Sequence, residues 1–132
     1  MKQLSYHFCA NYFVQLALCA AAAIRDVLPR APNAAALDPG ARRELSGLFG
    51  LLLRSLARDY ADMSQHPQAS HVLDCLMDNA TPTELLDIAD EVGQSLTALL
   101  ATQWGFKTCE RMLGRVVRCP SQPPPAGACL TP

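Results

Sequence analysis

Asn11 and Gln15 are amides four residues apart, and Tyr12 stands beside the first of them. Residues four apart share one face of a helix, so this pair can hydrogen-bond the edge of a base. Two further sets follow the same scheme: Ser70 and Asp74 with His71, then Phe106 and Glu110 with Lys107. Each set lies in a block opened by a small residue, Ala10, Ala69 or Gly105. The third, fourth, seventh and eighth places after it are mostly apolar: Phe13, Val14, Ala17 and Leu18, then Val72, Leu73, Leu76 and Met77, then Thr108, Cys109, Met112 and Leu113. That spacing predicts a buried stripe on each helix. The two members of each set fall off the stripe, on one exposed face.

The second and third blocks begin 36 residues apart, a period typical of stacked helical units. The first and second begin 59 apart, 23 more than one such period. Residues 29–40, with three prolines, and a lengthened second helix can absorb that excess as an insertion. Insertions in solenoids emerge on one face and often serve binding. The simpler reading is a tolerated surface loop, since loops lengthen at little cost.

The block Ala10-Asn11-Tyr12-Phe13-Val14-Gln15 resembles the repeat core of the Pumilio (PUF) RNA-binding proteins. In that core a small residue is followed by Asn, Tyr, two apolar residues and Gln. His66-Pro67-Gln68-Ala69-Ser70-His71-Val72-Leu73 is similar to the form seen in divergent nucleolar Pumilio-like proteins of ribosome biogenesis. The resemblance covers about half the chain. It implies an all-α fold, a short α-solenoid of Pumilio-like helical repeats over residues 1–118, and no enzyme activity. It also implies single-stranded RNA as partner, an rRNA precursor for example, and a place in the nucleus or nucleolus. Asn11 and Gln15 then correspond to the edge-reading pair and Tyr12 to the stacking residue. Ser70 and Asp74 form the next pair with His71 stacking, and Phe106 and Glu110 the third with Lys107. Unstacked RNA bases suit such side chains, one base per repeat. The chain departs from the pattern at Phe106, which has no hydrogen-bonding group, and at Asp74, a shorter acid than the family places there.

A chain of 132 residues, half of them apolar, has material for one packed domain. Its many Leu and Ala and few aromatics favour helix over sheet. The net charge of −1 counts against tight RNA binding, which draws most of its affinity from phosphate neutralisation. The arginines (Arg25, Arg30, Arg42, Arg43, Arg54, Arg58, Arg111, Arg115, Arg118) look scattered along the chain, so weak binding is expected. A reading from another class is a helical scaffold that binds protein and has lost its RNA affinity; balanced charge and Phe106 favour it.

Helices are expected over residues 4–28, 41–63, a third beginning at Pro67 and carrying Val72 to Met77, 82–101 and 104–117. Thr81-Pro82-Thr83-Glu84 reads as a capped start with Glu84 closing a capping box. In the second helix Leu45, Leu48, Phe49, Leu52, Leu53, Leu56 and Tyr60 form one stripe. The proline-rich tail, 119–132, should be disordered. Three units are the least a solenoid needs, and no polar capping unit precedes them. A fragment, a truncated form or a degenerate relative of a longer array is expected.

Lys2 and the apolar run from Tyr12 to Ile24, ending in Cys19-Ala20-Ala21-Ala22-Ala23, have the outline of a secretory signal peptide. Residues 1–23 would then be removed and the chain would be a secreted, disulfide-bonded helical protein. Asn11 and Gln15 interrupt the run, and Cys9, Cys19, Cys75, Cys109, Cys119 and Cys129 show no compact spacing. An intracellular protein with reduced thiols is therefore expected. The run is shorter than the ~20 residues of a membrane span, so no membrane partner is expected. No metal or other cofactor is expected either, as no CxxC or HxxxH pair exists. His66 reads as a helix-start residue and Cys75 as a core thiol. Asp87, Asp90 and Glu91 read as a solvated helix face, and no catalytic constellation is present.

Overall fold

Prolines, glycines and side-chain caps divide residues 1–118, which a computed structural model describes, into eight α-helices with no strand among the described residues. They are α1 (Lys2–Ser5), α2 (Ala10–Val27), α3 (Pro39–Leu56), α4 (Tyr60–Gln65), α5 (Ala69–Asn79), α6 (Pro82–Gly93), α7 (Leu96–Leu100) and α8 (Gln103–Val116). The all-α expectation is met. The expected disordered tail lies outside the described residues. The linker ahead of α3 holds two short 3-10 turns, Leu28–Arg30 and Ala34–Ala36. The carboxylate of Asp38 then accepts from the Gly40 and Ala41 amides to start α3.

Three of the expected long helices are broken. Residues 4–28 become α1 and α2 around a turn at His7, and 82–101 become α6 and α7 after Gly93. The helix expected over 41–63 stops at Leu56 and resumes at Tyr60. Between them Arg58 adopts the left-handed conformation, with φ 74°. The carboxylate of Glu91, from α6, accepts from the Arg58 amide at 2.8 Å and from the Tyr60 amide at 2.9 Å. Glu91 is thus no solvated acid; it holds the break in place and starts α4. Tyr60, buried, donates its hydroxyl to the Leu53 carbonyl, and burial raises its pKa. Pro67 precedes α5 rather than opening it. The Thr81 capping box is present as expected, with Pro82 at the first helical position.

Helix α2 packs on α3 and α5, α5 packs on α2, α4 and α8, and α8 packs on α4, α5, α6 and α7. The three helices that carry the repeated blocks therefore adjoin in chain order, with α5 touching both others. One core runs through them all: Val14, Leu18, Phe49, Leu56, Met63, Leu73, Leu76, Ile88, Val92 and Leu99 are buried in a single cluster. Each contributes about 1.5–3 kcal/mol by leaving water.

The expected stripes close fully only on α5, where Val72, Leu73, Leu76 and Met77 are all buried. On α2, Val14 and Leu18 are buried but Phe13 is 74% exposed and Ala17 faces solvent. On α8, Thr108, Cys109 and Met112 are buried and Leu113 is exposed. With the following 3-10 turn, α2 makes a run over Ala10–Arg30 of 21 residues and mean hydropathy 1.3. By length and composition alone it reaches what a bilayer span requires. Its Leu18, Ala21 and Ala22 lie in the core.

Candidate functional site

Each block helix starts from a cap three residues before its small residue. His7 Nδ1 accepts from the Cys9 and Ala10 amides, and His66 Nδ1 from the Gln68 and Ala69 amides. Thr102 Oγ1 accepts from the Gly105 amide at 3.1 Å. The next residue in two of the blocks then turns back on the cap. Asn11 Nδ2 donates to the His7 and Phe8 carbonyls, and Ser70 Oγ donates to the Pro67 carbonyl.

The expected exposed polar face is therefore corrected at two positions. Asn11 and Ser70 are buried, 3% and 4% exposed, with their hydrogen bonds made inside the fold. Both stand at the edge of the apolar stripe, where the capping turn folds over them. Gln15 is half-buried and donates to Asn11 Oδ1 at 3.0 Å. Asp74 is half-buried and ion-paired with Arg111. Phe106 and Glu110 are exposed.

The residues between them are placed differently. Tyr12, His71 and Lys107, each two places after the small residue of its block, are all exposed, one on each of the adjoining helices α2, α5 and α8. The His71 ring meets Trp104 edge-on at 6.3 Å, and Lys107 Nζ lies 5.0 Å from the Trp104 ring centre. Trp104 is half-buried. Ser70, His71, Asp74, Trp104, Lys107, Thr108 and Arg111 surround a cleft of about 290 Å³. Asp74 Oδ1 is buried there with no hydrogen-bond partner among the described residues, and burial raises the Asp74 pKa against the lowering pull of Arg111.

The other seam of α5 is built from thiols and amides. Cys75 Sγ lies 3.5 Å from Cys19 Sγ, and Asn79 donates to the Cys75 carbonyl at 2.8 Å. Burial, then the hydrogen bond with Cys19, pushes the Cys75 thiol up to about 12. Cys9, Cys19, Cys75 and Cys109 are free thiols. Arg25 fastens the far end of this seam. It donates to the Asn79 carbonyl at 2.7 Å and to Glu84 at 3.2 Å, and its guanidinium lies 4.5 Å from the Phe49 ring centre.

Sequence reading missed one grouping. Arg111, Arg115 and Arg118 follow at steps of four and three, so α8 and the turn after it bring them to one open cleft with Asp78, Met77, Ala80 and Leu85. Arg115 is ion-paired with Asp78. Among the described residues no group of three or more His, Cys, Asp or Glu is placed to hold a metal ion. Compared with protein-family models, curated proteins and solved structures, the chain matches none.

Proposed function

We propose that the chain is a Pumilio-like helical-repeat module, a short α-solenoid, that holds single-stranded RNA along α2, α5 and α8. The observation that carries this reading is the recurrence of an exposed ring or cation at one position of three adjoining helices: Tyr12, His71 and Lys107. The shared cap three residues before each small residue supports the repeat. Bases stack on such side chains with about 1–3 kcal/mol each. The buried Asn11 and Ser70 take edge reading largely out of the contact, leaving the side-chain amide of the half-buried Gln15. The module thus grips by stacking and charge more than it discriminates sequence. An rRNA precursor as target, and the nucleolus as place of action, follow from the resemblance.

The test is a titration with short uridine-rich and guanosine-rich RNAs at low and moderate salt. Tyr12→Ala should weaken binding roughly tenfold, as loss of one stacked base requires, and by the same factor for both RNAs. Equal affinities for wild type and Tyr12→Ala, or no binding at low salt, reject the reading.

A second reading, a helical scaffold for a protein partner, has its own observation. Phe8, Tyr12, Phe13 and Leu16 are 65–74% exposed on and beside α2, and clustered exposed apolar side chains are a feature of protein interfaces. Binding to such a partner need not show the steep salt dependence of phosphate neutralisation.

A further inference from the structure

We infer that Arg111, Arg115 and Arg118 form a phosphate-binding pocket in the groove between α5 and α8. The cleft they line measures about 600 Å³ and contains three guanidinium groups against one carboxylate, Asp78. With Arg111 also paired to Asp74, the local excess is one positive charge, in a chain whose net charge is −1. Guanidinium forks match the oxygens of a phosphate.

The donors are only partly used. Arg115 Nη2 is engaged by Asp78, while Arg115 Nη1 is buried with no hydrogen-bond partner among the described residues. A guanidinium nitrogen buried without an acceptor carries a desolvation cost, and an oxygen that draws the Arg115 fork off Asp78 into the cleft removes it. Arg118 donates from Nε to the Gly114 carbonyl at 2.6 Å, which holds its guanidinium against the last turn of α8. Arg111 lines this pocket and also the cleft of His71 and Trp104. The two clefts thus share Arg111, one lined by two rings and the other by three cations. That shared residue names the source of the phosphate as the backbone of a single strand whose base lies at Trp104, and this clause alone rests on the RNA reading. The pocket itself does not.

Asp78 competes for Arg115, so it sets the affinity. The experiment is a titration of the full chain with inorganic pyrophosphate, followed through the arginine side-chain amide signals in nuclear magnetic resonance. Saturable shifts of Arg115 and Arg118 are expected. Arg118→Gln, on the exposed rim, should weaken binding roughly tenfold, the loss of a charge-assisted hydrogen bond. Asp78→Asn should tighten it severalfold. Unchanged affinity in Arg118→Gln, or weaker binding in Asp78→Asn, overturns the proposal.

A second arm uses single-stranded octauridylate. Arg118→Gln should lower its affinity and reduce the salt slope by about one, and pyrophosphate should compete with it. Pyrophosphate binding without any RNA binding at low salt keeps the pocket and removes the RNA reading. RNA binding that leaves Arg115 and Arg118 undisturbed, with no pyrophosphate binding, removes the pocket and keeps the RNA reading.

Discussion

Helix α5 meets α8 through its carboxylates and α2 through its own uncharged groups, and the two seams face different demands. Toward α8 it presents Asp74 to Arg111 and Asp78 to Arg115, two ion pairs one helical turn apart. At least one partner of each pair is well exposed, so water and salt reach them. Toward α2 it presents Cys75 to Cys19 and the Asn79 carbonyl to Arg25. The ionic seam can trade its partners for an external anion with little loss of fold. The seam toward α2 has less to trade, because the Cys19 and Cys75 thiols face each other and the Asn79 carbonyl already holds Arg25. With the proposed phosphate pocket, binding capacity and structural security divide between two sides of one helix.

The comparison breaks most completely if α8 is lifted off. Gly105, buried, lies so close to α7 that a Cβ there would stand 2.4 Å from the Leu99 carbonyl oxygen and 2.8 Å from Leu99 Cα. Those are backbone atoms and cannot rotate away. Gly105→Ala should cost about 2–3 kcal/mol through overpacking, read as a lower urea midpoint. Gly114→Ala on the same helix meets only the Arg118 guanidinium, at 3.3 Å. It should be neutral or slightly stabilising, since Ala is the better helix former. Equal losses in the two variants would show that α8 is merely intolerant of alanine and would discard the close-approach account.

The seams themselves are compared by removing one arginine from each. Arg25→Ala deletes hydrogen bonds to the Asn79 carbonyl and Glu84 and the stacking on Phe49, and should cost about 1–2 kcal/mol. Arg111→Ala deletes one ion pair whose arginine is 58% exposed, and should cost no more than about 0.5 kcal/mol. Thermal unfolding of both variants in low and high salt checks this. If Arg111→Ala is the more damaging, the ionic seam is structural and the division drawn above fails.

Much of this arrangement was legible in the residues, because the signals concerned are local. The blocks at Ala10, Ala69 and Gly105, the Thr81–Glu84 capping box and the limits of α8 depend on neighbours within a turn or two. The break between α3 and α4 does not. It needs Arg58 in a left-handed conformation, held by Glu91 from 33 residues away. Asn11 and Ser70 were read as exposed because period alone places them off the stripe. Their burial comes from capping turns whose folding-back the period does not contain. Two signals were present and unread: the steps of four and three that gather Arg111, Arg115 and Arg118, and the polar residue three places before each small one (His7, His66, Thr102).

The smallest expected effect concerns Asp74, the group that belongs to both the ionic seam and the ring-lined cleft. Its side chain is 14% exposed, Oδ1 has no hydrogen-bond partner among the described residues, and burial outweighs Arg111 in raising its pKa above the ordinary 3.8. A carboxyl whose folded pKa is raised binds its proton more tightly folded than unfolded. Its stabilising contribution is therefore full below about pH 3.8 and is lost as pH rises through the raised folded value. At neutral pH the ionised Asp74 is a net burden despite its ion pair. Asp74→Asn keeps the shape and removes the charge. It should leave the protein as stable as wild type or more stable by about 0.5 kcal/mol at pH 7, the scale of a partly exposed pair. That difference should shrink to nothing near pH 3, where the wild-type carboxyl is protonated. Chemical denaturation across pH 3–8 measures it. A variant that is less stable at pH 7 and recovers at low pH would mean that the ion pair with Arg111 wins over burial. The seam toward α8 would then be structural like the seam toward α2.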